Sequence, residues 1–316
     1  MKGTVQHAAE PDSSWPYRLA LLTAVATFPL LFVGGLVTST GAGLAVPDWP
    51  TTFGYNMFLY PWTQMVGGIF YEHSHRLIGS AVGFLTILLA ATLWYKESRQ
   101  WLRWLGLVAL AAVIAQGVLG GLRVVLLQQT LAITHACFAQ AFFALTASLA
   151  LLTSAEWKVS PAKKIAADAS RVQHLGLLTS SFLYGQLILG AILRHTGEWA
   201  DMHILGAVLV AVHVLLLSAR VCRNHADVPA LLRSATLLRS LLVLQLGLGL
   251  GAYLAKFTEL GAFLNPFLVI LATSHVVVGA LMLVTCILLT LRAYRLLDLS
   301  QPVVRSPGAV EQIPAV

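Results

Sequence analysis

The sequence predicts an all-α integral membrane protein. Eight transmembrane helices form two four-helix bundles related by pseudo-two-fold symmetry along the membrane normal. Three observations lead there. Of 316 residues, 58% are hydrophobic and only 10% charged, with a mean hydropathy of +0.79; an ordinary soluble domain is about 25% charged. This excludes a disordered chain, a nucleic-acid-binding arm and a soluble enzyme. The apolar residues also gather into eight stretches of the roughly 20 residues that a bilayer crossing needs. Finally, the second four stretches repeat the motif order of the first four.

In chain order the spans are Leu19–Ser39, Arg76–Tyr95, Leu105–Val125, Leu131–Thr153, Leu175–Arg194, His203–Cys222, Leu237–Ala255 and Phe267–Leu291. The first is too long for a signal-peptide core and has no clear small-residue cleavage site after it. The expected organisation is a tail at 1–17, an N-terminal four-helix half at 18–153 and a linker at 154–173. A C-terminal half at 174–293 and a tail at 294–316 complete it. The Pro-, Ser- and Gly-rich tails, Met1–Tyr17 and Asp298–Val316, are expected to be disordered.

Orientation follows from the cations. With the N-terminus cytoplasmic, 16 of the 20 Lys and Arg fall on the inner side. Only Arg76, Arg123, Arg194 and Lys256 fall outside, so the termini are expected in the cytoplasm and the chain in a cell inner membrane. The +7 net charge thus reports topology, with the lipid bilayer as partner and no nucleic acid. The three cysteines, Cys137, Cys222 and Cys286, all lie in spans and read as small buried apolar residues.

The repeat joins spans 1–4 to spans 5–8. Gln116-Gly-Val-Leu-Gly-Gly121 in span 3 answers Gln245-Leu-Gly-Leu-Gly-Leu-Gly251 in span 7. His75 answers His203, Thr134-His135 answers Ser274-His275, and Gly35–Gly41 answers Gly190–Gly197. An even number of spans per half gives both halves the same orientation. The halves differ in two outer loops: loop 1 is much longer than its counterpart, and loop 7–8 is expected to be longer by about eleven residues.

Histidine inside a span is costly and points to function. His75, His135, His203 and His275 form two pairs, one per half, toward the outer side. Paired neutral imidazoles from facing helices suit haem iron. Copper, zinc or a simple interhelical hydrogen bond are the other readings. Glycines beside them allow the close approach a flat macrocycle needs. His213 has no counterpart and reads as packed or hydrogen-bonded. His73, His174 and His225 read as interfacial, and His195 as a weak pocket candidate.

The outer cations Arg76, Arg123, Arg194 and Lys256 suit haem propionates; snorkelling to the interface is the alternative. Glu72 lies one helical turn before His75, on the same face. Its counterpart in the second half is Ala200. An acid in one half only suggests a single chemically active half, with Glu72 taking a proton or stabilising positive charge. Favourable placement at a helix N-terminus is the plainer reading. Loop 1, from Ser39 to Trp62, holds three prolines, two tryptophans and no Lys or Arg. It reads as an ordered lid or re-entrant segment, or as an aromatic anchor.

Together these residues resemble the haem A synthase family, over about residues 19–292. The resemblance rests on the eight spans in two halves, Glu72-x-x-His75-Arg76, and His135, His203 and His275 on the other even spans. The run Gly34-Gly35-Leu-Val-Thr-Ser-Thr-Gly-Ala-Gly-Leu leading to Asp48-Trp49-Pro50 completes it. The resemblance implies conversion of haem O to haem A for a terminal oxidase, by oxidation of a ring methyl to a formyl. It implies that His75 and His135 flank the haem O substrate, and that His203 and His275 ligate a haem B cofactor. Glu72 matches the family's catalytic glutamate. An electron donor and a haem O-producing enzyme in the same membrane would be partners, and a homo-oligomer is compatible. One departure stands out: many bacterial members carry a cysteine pair in loop 1, and this loop has none. A di-haem electron-transfer protein of the quinol-oxidising type leaves Glu72 and loop 1 unexplained. A parallel-repeat transporter would place its site at the midplane.

Overall fold

The computed structural model describes residues 13–159 and 163–299. Eight long helices dominate it: α1 (Trp15–Ser39), α2 (Gly68–Lys96), α3 (Gln100–Val125), α4 (Gln129–Thr153), α6 (Ala169–Thr196), α7 (Ala200–Asn224), α8 (Pro229–Phe257) and α9 (Gly261–Leu296). A one-turn helix, α5 (Ala155–Lys158), follows α4. All eight long helices are apolar and long enough to cross a bilayer. The chain is a multi-pass membrane protein. Each helix covers its expected span and overshoots it at one or both ends. Most of the expected tails lies outside the described residues, but Trp15–Tyr17 belong to α1.

Helix is the form such a segment must take, because lipid offers no partner for a free backbone N–H or C=O. Buried hydroxyls obey the same constraint. Thr27 and Thr86 donate to the carbonyls of Thr23 and Val82, each 2.7 Å away and four residues back. Pro16 sits in the first turn of α1, where a missing N–H costs nothing. Gly197 ends α6 at φ +78°, a left-handed cap that suits glycine.

The helices alternate in direction, so α2, α4, α7 and α9 all start at the end where α1 finishes. In the first half α1 packs on α2 and α4, and α3 packs on the same two. In the second half α6 packs on α7 and α9, and α8 on the same two. Contacts of α9 with α1 and α4, and of α4 with α6, join the two sets. One core cluster gathers Leu217, Leu231, Leu238, Met282 and Leu289 from α7, α8 and α9. Another gathers Leu89, Leu93, Leu102 and Leu149 from α2, α3 and α4. Outward-facing residues such as Leu22, Phe84, Ile114 and Val243 are apolar too, as in a helix solvated by lipid.

At the far end from loop 1 polar side chains tie the helices together. Arg99 pairs with Glu97 at 2.8 Å. Asp168 accepts from Arg220, Asn224 and His225. Arg292 bridges Glu156 and Ser234. Two short strands, β1 (Lys164–Ile165) and β2 (Leu297–Asp298), pair in parallel and fasten the linker to the end of α9.

Three expectations need correction. The extra residues of the eighth span's outer end are not loop. The α8–α9 turn runs only from Thr258 to Leu260, and α9 starts at Gly261 and carries Pro266 within its second turn. Pro266 removes one N–H early in the helix and does not stop it. His73 is not interfacial; it is 1% exposed beneath loop 1. His225 is likewise fully buried, against Asp168 Oδ1 at 3.1 Å. Both histidines sit at helix ends, as the sequence indicates. Distant chain segments cover them.

Candidate functional site

The four repeat histidines meet as two pairs. His75, in the second turn of α2, faces His135 from α4, with ring centroids 6.4 Å apart and planes at 83°. His203, in the first turn of α7, faces His275 from α9 at 6.1 Å and 74°. His275 stands fourteen residues into α9, deeper along its helix than expected, because α9 itself starts early.

Each imidazole leans on a glycine of the helix before its own. A Cβ built on Gly34 would sit 2.8 Å from His75 Cε1, and the distances at Gly120–His135, Gly190–His203 and Gly249–His275 are 3.0, 3.0 and 2.8 Å. No larger residue fits there without moving a ring. This register pairs Gly34, not Gly35, with Gly190. Gly35 instead lies against Thr273 of α9.

Four residues before three of those glycines stands a glutamine. His135 Nδ1 lies 3.2 Å from the Gln116 carbonyl, and Gln116 Nε2 donates to the His135 carbonyl. His275 Nδ1 lies 3.2 Å from the Gln245 carbonyl. Gln186 Nε2 donates to the His203 carbonyl at 2.7 Å and touches Nδ1 at 3.1 Å. The fourth position is Leu30, which keeps the main-chain carbonyl beside His75 but has no side-chain amide.

What can two such pairs hold? A metal–imidazole bond is about 2 Å, and the ring centre lies roughly 1 Å behind its nitrogen, so two imidazoles sharing a metal put their centroids about 6 Å apart. Both pairs match. Among the described residues no group of three or more His, Cys, Asp and Glu forms a metal site. Two nitrogens do not complete a metal's coordination. The donor set therefore fits a metal that brings its other ligands with it, as haem iron does. Two open surface pockets, near Arg292 and near Phe263, are lined by none of these histidines.

Above the first pair sits loop 1, ordered by polar contacts. Glu72, 2% exposed, receives the Val46 N–H on Oε2 and Arg76 on Oε1, each at 3.0 Å. The terminal nitrogens of Arg76 also donate to the carbonyls of Val46, Asp48 and Thr51. Arg123 donates to the Gly43 carbonyl at 3.1 Å. Trp49 lies so close on Gly121 that a Cβ there would meet the indole at 2.2 Å. Asp48 accepts from Phe53 N–H, Gly54 N–H and the Thr51 hydroxyl. Burial alone would raise its pKa, but those bonds prevail and hold it down to about 2. His73 is pinned underneath by Thr52 Oγ1 at 3.2 Å and the Tyr60 ring at 5.1 Å.

The other two candidate cations are placed differently. Arg194 reaches across to α1, donating to the Gly35 carbonyl at 2.7 Å and Ser39 Oγ at 2.6 Å, and to Ala272 of α9 at 3.3 Å. Lys256 lies over the Phe257 ring at 5.3 Å. His195 offers its carbonyl to Gln129 of α4. His213 hydrogen-bonds the Leu209 carbonyl and packs on Phe182, as the sequence suggests. The sequence reading missed the roles of His73 and the three glutamines. Aligning the four helices on their histidine-contacting glycines is the signal that finds the glutamines.

A family model described as COX15-CtaA, cytochrome oxidase assembly protein, matches residues 17–201. A protein of Shouchella clausii named haem A synthase is 32% identical over 184 residues, covering 57% of this chain and 59% of that one. One of the same name from Alkalihalophilus pseudofirmus is 28% identical over 181 residues, covering 56% and 59%. Another from Geobacillus kaustophilus is 23% identical over 279 residues, covering 78% and 84%. The chain thus spans under two thirds of the length of the first two relatives. With a match over more than half of its residues, Glu72, His75 and His135 among them, the chain belongs to the COX15-CtaA family of cytochrome oxidase assembly proteins.

Proposed function

We propose that this chain is a haem A synthase, a membrane oxidoreductase that converts haem O to haem A for terminal oxidase assembly. The observation that carries the reading is the geometry of the two histidine pairs in a chain of this family. In this reading the halves 18–153 and 174–293 are two four-helix bundles related by a pseudo-two-fold axis along the membrane normal. His75 and His135 hold haem O as substrate, and His203 and His275 hold haem B as the resident cofactor.

When bound, the iron porphyrins supply the redox chemistry that hydroxylates the methyl carbon twice, after which the geminal diol loses water to leave a formyl. The protein's share is positioning and proton handling. The four glycines let the rings approach, and the helices fix their spacing. Glu72, fixed between Arg76 and Val46 N–H, is the carboxylate beside the first pair that can take up a proton or stabilise positive charge at the reacting carbon. Loop 1 closes that half from above and keeps water out. Arg123, Arg194 and Lys256, with Arg76, line the end where the propionates would lie. In this reading the cation-poor end lies on the outer side of a cell inner membrane and both termini lie in the cytoplasm, which the distribution of Lys and Arg among the loops supports. An electron donor and a haem O-producing enzyme in the same membrane complete the set of partners.

The test is expression in a host that makes haem O but not haem A, followed by pigment extraction and chromatography. Haem A is expected with the wild-type chain and none with Glu72→Ala, although that variant still loads haem. A folded, haem-loaded wild-type chain that yields no haem A overturns the reading and favours an electron-transfer role.

A further inference from the structure

At the end of the molecule away from loop 1, an open pocket of about 430 Å³ lies between α5, α8 and α9. Its polar wall carries two arginines and one carboxylate. Arg292 is committed: Nε and Nη2 donate to the Glu156 carboxylate at 3.0 and 3.2 Å, and Nη1 donates to Ser234 Oγ at 3.1 Å. Arg233 is exposed, and among the described residues its guanidinium has no hydrogen-bond or ion-pair partner. The first turn of α8, from Pro229, forms another part of the wall and adds the positive end of the helix dipole. Two cations against one carboxylate leave the pocket positive. The rest of its wall is apolar, from Val228, Pro229 and Leu296.

Depth decides which anion suits it. Arg233 lies one helical turn before the apolar stretch that begins at Leu237, and Arg292 directly follows the one that ends at Leu291. Both stand where the chain leaves the hydrocarbon, at the level of lipid headgroups. We propose that this pocket binds one glycerophospholipid of net negative charge. Its phosphate lies at Arg233 and the start of α8, and its glycerol region against Val228, Pro229 and Leu296. A guanidinium fork suits phosphate oxygens, and basic pockets between spanning helices take lipid headgroups by the same chemistry. Inorganic phosphate would leave the apolar wall uncovered. A zwitterionic lipid would bring an ammonium to a pocket whose one carboxylate Arg292 already holds. Because α5 follows the first half and α8 and α9 belong to the second, the lipid bridges the two halves at the end opposite the histidine pairs. The site stands apart from the haem reading and does not depend on it.

The measurement is thermal unfolding of the purified full-length chain in detergent with increasing dioleoylphosphatidylglycerol, beside native mass spectrometry of the same samples. The unfolding temperature is expected to rise and then saturate, with one phosphatidylglycerol retained per chain. Dioleoylphosphatidylcholine and inorganic phosphate at the same concentrations should do neither. Arg233→Ala changes an exposed residue without partners, so the variant should fold. It should weaken phosphatidylglycerol binding about tenfold or more, the scale of a lost charge-assisted hydrogen bond. Arg233→Lys should recover part of that loss. Ala230→Phe, which fills the pocket and keeps both arginines, should weaken binding as well. Arg239→Ala removes another exposed arginine of α8, one that does not line the pocket, and should leave binding unchanged. Equal losses in Arg233→Ala and Arg239→Ala would show diffuse surface charge and overturn the proposal. So would a saturable response to inorganic phosphate, an equal response to phosphatidylcholine, or no response to phosphatidylglycerol.

Discussion

His75 and His135 face each other beneath a connection of 28 residues, from Thr40 to Gly67, whereas His203 and His275 face each other beneath the three residues Gly197 to Trp199. The glycine backing is the same in both halves, and so is the ring spacing within 0.3 Å (6.4 against 6.1 Å). Gln116 beside His135 answers Gln245 beside His275, but the rest of the surroundings differ. The first pair has Glu72, Arg76 and a loop whose carbonyls are gathered by arginines. The second has a glutamine beside each ring and no carboxylate in register. Ordering a long loop costs conformational entropy, roughly 1–2 kcal/mol per residue. In this chain that cost falls on one half only. The scaffold of a metal pair needs little chain; the added residues surround the half proposed to do chemistry.

The sharpest way to break the comparison is to remove one histidine from the second pair. His203→Ala should abolish haem B binding in the second half and leave the first half able to bind haem O, read from the optical spectrum of the purified protein. A normal haem B spectrum in that variant would remove His203 from the ligand set.

The arginines come next. Arg76→Leu leaves the Glu72 carboxylate buried without its cation and takes donors from three loop carbonyls. Removing one partner of a buried pair costs on the order of 3 kcal/mol. The variant should unfold earlier and expose residues 40–67 to protease. Arg194→Leu removes hydrogen bonds to neutral acceptors and strands no charge, so its cost should be nearer 2 kcal/mol, with loop 1 still protected. Equal loop cleavage in both variants would show that Arg76 is not what fastens the loop.

A smaller effect separates two glycines on one helix. Gly121→Ala puts a methyl where Trp49 already lies and should cost about 1–3 kcal/mol through overpacking. A Cβ at Gly117 meets nothing within 4 Å. Gly117→Ala should be neutral or stabilising by up to about 1 kcal/mol, from helix propensity. Thermal unfolding of the two variants, with loop proteolysis alongside, reads the difference.

Much of this was legible in the sequence, and the parts that were not share a cause. Hydropathy gives the eight spans because lipid imposes it on every turn of helix. The four histidines and their order stand out because a polar residue in a span is rare and the repeat places it twice. Arg76 could be picked as functional, but its acceptors are mostly main-chain carbonyls of loop 1, which any sequence presents. His73 and His225 look interfacial until Thr52, Tyr60 and Asp168 arrive from 13 to 57 residues away. The early start of α9 was hidden by Pro266, which usually marks a boundary and here sits where a helix tolerates it. Gln186 escaped because the sequence pairs Gly190 with Gly35, and only the contacts of Gly34 with His75 and of Gly190 with His203 set the register that brings Gln186 into line.

The smallest expected effect concerns the loop's own brace. Asp48 accepts from Phe53 N–H, Gly54 N–H and the Thr51 hydroxyl, and its pKa is lowered from 3.8 to about 2. A carboxyl whose folded pKa lies below its unfolded value binds protons more readily when unfolded. Its contribution to stability is complete above the unfolded value and is lost as pH falls toward the folded one. The brace should therefore be intact above about pH 4 and weaken between pH 4 and pH 2. Hydrogen exchange at Phe53 and Gly54, corrected for the intrinsic rate, should accelerate over that window, while the turn from Gly197 to Trp199 shows no such step. Asp48→Asn should exchange faster at neutral pH and lose the acid step. If the step persists in that variant, another group carries it, and Asp48 is not what distinguishes the loop of the first half from the short turn of the second.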